Sequence, residues 1–220
     1  MTALVFDLDG TLIDTAPDLA VATNAVLAAE GRQAVSLDLL RHMVGFGARS
    51  LILQAFAATG DPAADADMPR FLDLFLAHYR ANIAVRSRAF PGVEETLADL
   101  RSRGTKLAVL TNKPDGLARL LLSELKLARH FDAIFGAGAR PYTKPDPRLF
   151  GDVLSALGAQ SGIMIGDSVT DVATARNAGA KVILVSYGYT PEPAASLGAD
   201  GVTEDFAAIP ALAAKLGARI

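Results

Sequence analysis

The chain has 220 residues, of which 51% are hydrophobic and 20% charged, and its formal net charge is −3 at pH 7. This length suits one large domain or a domain with an insertion, and the apolar content suffices for a packed core. The acidic balance argues against a general binder of nucleic acid or anionic membranes, and the lack of cysteine excludes disulfides and cysteine-ligated metals.

Membrane and export signals are not evident in the sequence. No apolar run reaches the ~18 residues that a membrane-spanning helix requires. The first residues carry neither a basic stretch nor a cleavable apolar segment. We therefore expect a soluble, cytoplasmic protein, either a monomer or a homodimer, that binds neither nucleic acid nor membranes.

The first apolar run, Ala3 to Phe6, predicts a buried strand. Asp7 and Asp9 follow it, and Gly10 gives the chain the freedom to turn. In an open α/β sheet, ligands bind just beyond the carboxyl ends of the strands, where both aspartates are expected. Because an aspartate before a glycine is also an ordinary turn signal, this segment alone does not identify a site.

Residues 15–88, called here the helical insertion, show helical periodicity and no convincing strand. Thr15, with Asp18 three residues later, predicts the start of a first helix, and Gly31 predicts its end. Further helices are predicted over Leu37 to Met43, over Ala48 to Ala58 and around Phe71 to Tyr79. We expect this segment to form a separate helical domain.

After residue 88, predicted strands alternate with helices, a pattern typical of βαβ units and a parallel sheet. The predicted strands are Leu107 to Leu110, Ala133 to Phe135, Ile163 to Ile165 and Val182 to Val185. The predicted helices are Val93 to Arg103, Pro114 to Leu127, Pro147 to Leu157, a segment ending at Asn177, and Phe206 to Leu216. We therefore predict an α/β core of residues 1–14 and 89–220, with residues 15–88 inserted as a helical domain.

Polar residues accompany the later strands. Thr111 and Asn112 follow the second strand of this core, Asp167 and Asp171 follow the fourth, and Lys144 lies between them. Each alone has an ordinary explanation as a helix cap, a turn residue or a solvated charge. Together they place acids, a hydroxyl and a lysine at one edge of the predicted sheet.

The expected concentration of carboxylates at this edge requires a counter-charge. The acids concerned are Asp7, Asp9, Asp167 and Asp171. They would repel one another and raise each other's pKa, and a divalent cation such as Mg²⁺, which prefers oxygen ligands, would relieve the repulsion. Lys144 would add positive charge, and the Thr111 hydroxyl and Asn112 backbone N–H would add donors. Such a site suits a phosphoryl group.

Four segments, in this order, resemble the signature motifs of the haloacid dehalogenase-like hydrolase superfamily, and the resemblance covers nearly the whole chain. They are Asp7-x-Asp9-Gly-Thr11, the strand end at Thr111, Lys144, and Gly166-Asp167-x3-Asp171. The helical insertion resembles the α-helical cap domain of that superfamily, which implies a Rossmann-like parallel sheet for the core. Other segments resemble phosphoglycolate phosphatases within it, namely Val44 to Leu51, Phe90 to Val93, Thr111 to Lys113 and Tyr187 to Tyr189.

The resemblance implies a Mg²⁺-dependent phosphomonoester hydrolase. Asp7 would attack phosphorus to give an aspartyl-phosphate, and Asp9 would protonate the leaving alkoxide and then deprotonate the hydrolytic water. Mg²⁺ would be held by Asp7, the main-chain carbonyl of Asp9 and Asp167. Asp171 would orient a water on the metal or Lys144. An acid at the position of Asp9 separates phosphatases from dehalogenases, so the implied substrate is a small phosphorylated metabolite, with 2-phosphoglycolate as the first choice.

Residues of the helical insertion are expected to set the substrate. Arg49 is a candidate for binding a substrate carboxylate through its planar guanidinium, although a solvated position is an equally good interpretation. The expected catalytic residues are Asp7, Asp9 and Lys144. The expected substrate-binding residues are Thr111, Asn112, Lys144 and Arg49.

Three alternatives stay open at this point. The substrate could be another small phosphomonoester, such as a sugar phosphate or a nucleotide. A β-phosphoglucomutase-like phosphomutase would share the cap and motifs, but the His-and-Lys feature of those enzymes is missing from Asp14 to Asp18. A receiver-like signalling module would also use Mg²⁺, acids and a lysine, but such modules are shorter and lack a helical insertion.

Overall fold

The computed structural model describes residues 1–219. Within them the strands are β1 (Thr2–Phe6), β2 (Ile13–Asp14), β3 (Arg88–Ala89), β4 (Leu107–Pro114), β5 (Ala133–Ala137), β6 (Ser161–Gly166), β7 (Lys181–Val185) and β8 (Gly201–Thr203). The helices are α1 (Ala16–Ala29), α2 (Leu37–Arg41), α3 (Ala48–Thr59), α4 (Met68–Ala81), α5 (Val93–Ser102), α6 (Asp115–Glu124), α7 (Pro147–Leu157), α8 (Val169–Asn177) and α9 (Ile209–Lys215). No helix in this part of the chain is both long and apolar enough to cross a membrane.

Six of the strands form one parallel sheet in the order β5-β4-β1-β6-β7-β8. Its central strand β1 is fully buried from Ala3 to Phe6, as expected for a strand covered on both faces. The register aligns Phe6 with Val109 of β4 and Ile165 of β6. Residues that directly follow β1 and β6 therefore emerge at the same edge of the sheet.

The helical insertion contributes α1–α4 between β1 and the remaining strands of the sheet. Its helices pack mainly on one another, with buried Phe71 and Phe75 of α4 in the apolar core. A short antiparallel pair, β2 with β3, aligns Ile13 with Ala89 where the chain leaves and re-enters the core. The predicted fold class, an α/β core with inserted helices, is confirmed. The domain boundaries at residues 14 and 88 stay a prediction.

Some predicted elements differ from those observed. Strand β4 extends to Pro114 instead of ending at Leu110, so Thr111 lies inside the strand and α6 begins only at Asp115. Strands β2, β3 and β8 were not predicted, because two or three residues are too few to display a periodicity. The final predicted helix begins with a 3₁₀ turn, Phe206–Ala208, before α9.

Candidate active site

Lys144 bridges two carboxylates at the carboxyl edge of the sheet. Asp7 directly follows β1, and its Oδ2 lies 2.9 Å from Lys144 Nζ, while its Oδ1 accepts the Leu8 N–H at 2.7 Å. The same ammonium lies 2.7 Å from Oδ1 of Asp171, in the first turn of α8. All three charged side chains are buried, so these ion pairs are shielded from water.

The remaining oxygens of the acids that follow β6 are held by fixed donors. Asp167 accepts the Thr11 hydroxyl at 2.9 Å on Oδ1 and the Tyr189 N–H at 2.8 Å on Oδ2. Oδ2 of Asp171 accepts the Ser168 hydroxyl at 2.7 Å and the Ser168 N–H at 3.1 Å, which caps the start of α8. These bonds hold both carboxylates in one orientation.

Two glycines give these carboxylates room. Gly10 has φ +82°, which side-chain-bearing residues rarely adopt, and a Cβ there would lie 2.6 Å from Asp167 Oδ2. A Cβ at Gly166 would overlap the carboxyl group of Asp171. Both positions therefore require glycine for the acids to approach one another.

Asp7, Asp167 and Asp171 each offer an oxygen, and these oxygens lie within 4.8 Å of one another. Burial, reinforced by repulsion from Asp171 and Asp7, raises the pKa of Asp167 to about 8. Burial also raises the pKa of Asp7 to about 6, although the Lys144 ammonium opposes the shift. Burial alone would lower the pKa of Lys144, but Asp171 and Asp7 outweigh it and hold that pKa above its usual range. When all three carboxylates are ionised, their negative charge exceeds the positive charge of the one lysine. The carboxylate oxygens are the ligands that a divalent cation such as Mg²⁺ prefers.

Asp9 lies beside a different lysine. Its carboxylate accepts from Lys113 Nζ at 3.0 and 3.3 Å, and the same ammonium donates to the Tyr79 hydroxyl at 2.7 Å. Lys113 belongs to β4 and Tyr79 to α4, and both are buried. Neither residue is among those that the sequence predicts for the site. A lysine directly after Thr111 and Asn112 was the available signal for Lys113.

Thr111 and Asn112 organise the loops around the acids. The Thr111 hydroxyl accepts the Lys113 N–H at 3.2 Å. Oδ1 of Asn112 accepts the Lys144 N–H at 3.0 Å, and its Nδ2 donates to the carbonyl of Gly45 at 3.4 Å. Asn112 therefore connects the loop that carries Lys144 with the helical insertion.

A small cavity of about 40 Å³ lies between the sheet edge and the helical insertion. Its polar wall includes Asp7, Asp9, Lys113 and Thr111, and its apolar wall includes Leu19, Leu51 and Phe75. The structure thus brings the two aspartates of the first motif, Thr111 and Asn112 to one cavity, and Lys144 forms an ion pair with Asp7 beside it.

Arg49, unlike Thr111 and Asn112, does not line this cavity. Its guanidinium pairs with Asp65 at 2.5 Å, and its side chain is 54% exposed. Arg49 lines a neighbouring open groove together with Lys144 and Asn112. Its contact with substrate stays a prediction.

The sequence matches a known protein family over most of its length. A family model described as Haloacid dehalogenase-like hydrolase matches residues 4–185. A phosphoglycolate phosphatase of Caulobacter vibrioides is 46% identical over 209 residues, covering 94% of this chain and 88% of that protein. A phosphoglycolate phosphatase of Agrobacterium fabrum is 45% identical over 215 residues, covering 96% and 92%.

Solved structures show the same architecture. A predicted phosphoglycolate phosphatase from Haemophilus somnus superposes with a TM-score of 0.91 at 30% identity, covering 96% of this chain and 97% of that chain. A putative phosphoglycolate phosphatase from Lactobacillus delbrueckii superposes with a TM-score of 0.85 at 27% identity, covering 99% of both chains.

Proposed function

We propose that this chain, which belongs to the haloacid dehalogenase-like hydrolase family and is a phosphoric monoester hydrolase, uses Mg²⁺ to hydrolyse 2-phosphoglycolate to glycolate and phosphate. One observation carries the proposal: Asp7 and Asp9 line the same cavity, and Lys144 Nζ lies 2.9 Å from Asp7. Relatives named phosphoglycolate phosphatase, 46% and 45% identical to this chain, support 2-phosphoglycolate as the first choice among small phosphomonoesters.

Asp7 is the proposed nucleophile. Its carboxylate attacks phosphorus, and the bond to the leaving oxygen breaks as the aspartyl-phosphate forms. Lys144 neutralises charge on the oxygens of the transferred group, since its ammonium is already held 2.9 Å from Asp7 Oδ2. Thr111 and the backbone N–H of Asn112 are the further donors in this proposal.

Asp9 is the proposed general acid and base. It gives a proton to the leaving alkoxide, and it later removes a proton from the water that attacks the aspartyl-phosphate. Its carboxylate lines the cavity beside Lys113, on the side where the leaving group would lie. Asp9 lies two residues after Asp7, directly before Gly10, and in this proposal the two acids act on opposite sides of the phosphoryl group.

The proposed Mg²⁺ site consists of Asp7, Asp167 and the main-chain carbonyl of Asp9. When bound, the cation supplies positive charge that stabilises the transferred phosphoryl oxygens. Asp171 orients Lys144, with which it pairs at 2.7 Å, and accepts the Asp167 N–H at 3.2 Å. The cytoplasmic location and the choice between monomer and homodimer stay predictions.

A phosphate-release screen tests the proposed substrate. Purified protein with Mg²⁺ is offered 2-phosphoglycolate, sugar phosphates and nucleotides, which are ranked by kcat/KM, with Asp7→Asn as the control for contaminating phosphatases. We expect 2-phosphoglycolate to rank first. A higher rank for a sugar phosphate or nucleotide would reassign the substrate. Isomerisation of a sugar phosphate would indicate a phosphomutase, and a stable phosphoprotein without phosphate release would indicate a receiver-like module.

The aspartyl-phosphate requires a separate test. Wild-type protein is mixed with substrate, quenched in acid within milliseconds and digested for mass spectrometry. We expect one added phosphoryl group on the peptide that contains Asp7, and none in Asp7→Asn. Modification of another residue would contradict the assigned nucleophile.

A further inference from the structure

Lys113 is the only cationic side chain that lines the cavity within residues 1–219. Its side chain is 2% exposed, and apolar residues such as Leu51 and Phe75 form the facing wall. An ammonium in such surroundings interacts strongly with any anion that enters, because little water is present to screen it.

The hydrogen bonds of Lys113 can be rearranged to accept a further anion. An ammonium has three N–H donors, and those of Lys113 serve only two acceptor groups in the described chain. These are the Asp9 carboxylate, reached at 3.0 and 3.3 Å, and the Tyr79 hydroxyl, reached at 2.7 Å. A carboxylate that enters the cavity can therefore take over one of the two contacts with Asp9. That oxygen of Asp9 is then free to bond the leaving oxygen of the substrate.

We propose that Lys113 binds the carboxylate of the leaving group and so selects small phosphomonoesters that carry a carboxylate. This inference rests on the proposed function, which supplies the phosphate ester and the roles of Asp7 and Asp9. In 2-phosphoglycolate a single C–C bond separates the carboxylate from the carbon that bears the leaving oxygen. Because Lys113 Nζ is 3.0 Å from Asp9, the carboxylate and the leaving oxygen can contact these two residues at the same time.

Tyr79 is a positioning residue for this contact. Its hydroxyl accepts from Lys113 Nζ, and the ammonium also lies 4.4 Å from the centre of its ring. Since Tyr79 belongs to α4 and Lys113 to β4, the carboxylate site is assembled only where the helical insertion meets the sheet. Arg49 does not line this cavity, and its ion pair with Asp65 is exposed.

Kinetics of Lys113→Met test the proposal. Two substrates are compared: 2-phosphoglycolate, and ethyl phosphate, which has a two-carbon leaving group without the carboxylate. We expect kcat/KM for 2-phosphoglycolate to fall about 10- to 100-fold more than kcat/KM for ethyl phosphate, as for loss of a charged hydrogen bond. An equal fall for both substrates would show that Lys113 acts only through Asp9. Lys106→Met, which removes an exposed lysine paired with Asp132, should change neither value.

Binding affinities for two phosphonates measure recognition of the carboxylate separately from hydrolysis. The probes are 3-phosphonopropionate, in which a methylene replaces the leaving oxygen, and propylphosphonate, which lacks the carboxylate. By calorimetry with Mg²⁺, wild-type protein should bind the first about 10- to 100-fold more tightly, and Lys113→Met should lose this preference. An unaltered preference in the variant would overturn the proposal. If wild-type protein releases no phosphate from 2-phosphoglycolate, it is the proposed function that fails.

A crystal structure of wild-type protein with 3-phosphonopropionate tests the same contact without any variant that must fold. We expect a carboxylate oxygen within hydrogen-bond distance of Lys113 Nζ. A carboxylate bound instead at Arg49 would overturn the proposal and support the sequence-based assignment of that arginine.

Discussion

Ser87 donates both its backbone N–H and its hydroxyl to Oδ2 of Asp18, at 2.8 and 2.7 Å. Asp18 lies in the first turn of α1, and Ser87 directly precedes β3. These bonds therefore join the two segments by which the chain enters and leaves the helical insertion. The sequence predicted the start of α1 from Thr15 and Asp18, but within residues 1–219 the Thr15 side chain makes no capping hydrogen bond.

Asp18→Ala should destabilise the fold. The Arg86 N–H also donates to this carboxylate at 3.0 Å, so the substitution leaves several donors at the junction without an acceptor. We expect the free energy of unfolding in urea to fall by about 1–3 kcal/mol. Ser87→Ala, which removes only the hydroxyl, should cost about 1 kcal/mol or less. Equal stability of Asp18→Ala and wild-type protein would show that the junction contributes nothing.

Asp7→Asn and Asp9→Asn should have different effects. An amide at position 7 is a poor nucleophile, so turnover should be abolished. Loss of the acid and base at position 9 should lower kcat by about 10²–10⁴-fold. Mg²⁺ affinity, measured by calorimetry, should be largely kept in Asp9→Asn, because the proposed metal contact there is the main chain. Near-wild-type activity of Asp7→Asn would contradict the assignment of the nucleophile.

Lys144→Met should affect both stability and activity. The variant leaves Asp7 and Asp171 buried without their shared cation, and removal of one partner from a buried ion pair typically costs about 3–5 kcal/mol. We expect a lower melting temperature in EDTA, partly restored by Mg²⁺, and a severely reduced kcat. The matched control is Lys181→Met, whose exposed ion pair with Asp200 should contribute less than about 1 kcal/mol.

Stabilisation by Mg²⁺ should increase from pH 6 to pH 8. The pKa values of about 6 for Asp7 and about 8 for Asp167 lie above the ordinary value of 3.8, so the metal-free folded protein binds more protons than the unfolded chain. The stability contributed by these protonated groups is lost as pH rises through the folded-state values. Mg²⁺ requires the ionised carboxylates, so a fixed concentration should stabilise the protein more at pH 8.

Thermal melts at pH 6, 7 and 8, each with Mg²⁺ and with EDTA, measure this effect. Taking the difference between the two melting temperatures at one pH largely removes the contribution of groups that do not contact the metal. One such group is His130, whose pKa is lowered by burial. Asp167→Asn should lose most of the Mg²⁺-dependent shift. The same shift at pH 6 and pH 8 in wild-type protein would contradict the expected coupling between protons and the metal.

The sequence predicted the acids of the site better than their surroundings. Asp7 and Asp167 each follow a buried apolar run that forms a strand. Because the two strands are parallel, their carboxyl ends, and so the two acids, lie at the same edge of the sheet. The contact between Lys113 and Tyr79 could not be predicted in this way. Tyr79 lies 34 residues away on an amphipathic helix, where its spacing indicates only a buried face. The packing of α4 against the sheet edge brings it to the lysine.

Tyr189 is the last residue for which we predict an effect, because its hydroxyl holds the start of α1. The oxygen accepts the N–H groups of Thr15 and Ala16 at 2.7 and 2.9 Å, where helix N–H groups have no partner within α1. It also donates to Asp14 at 2.6 Å. Tyr189→Phe removes this acceptor from a buried position and should lower the free energy of unfolding in urea by about 1–3 kcal/mol.

A matched control is available two residues earlier. Among residues 1–219 the Tyr187 hydroxyl has a single partner, the carbonyl of Thr11, to which it donates at 2.9 Å, and the Tyr187 side chain is less buried than that of Tyr189. Tyr187→Phe should therefore cost no more than about 1 kcal/mol. Because the Tyr189 N–H also holds Asp167, and this backbone donor is kept in Tyr189→Phe, Mg²⁺ affinity should change little in that variant. A large loss of Mg²⁺ affinity without loss of stability would show that the hydroxyl orients the acids instead of holding the start of α1.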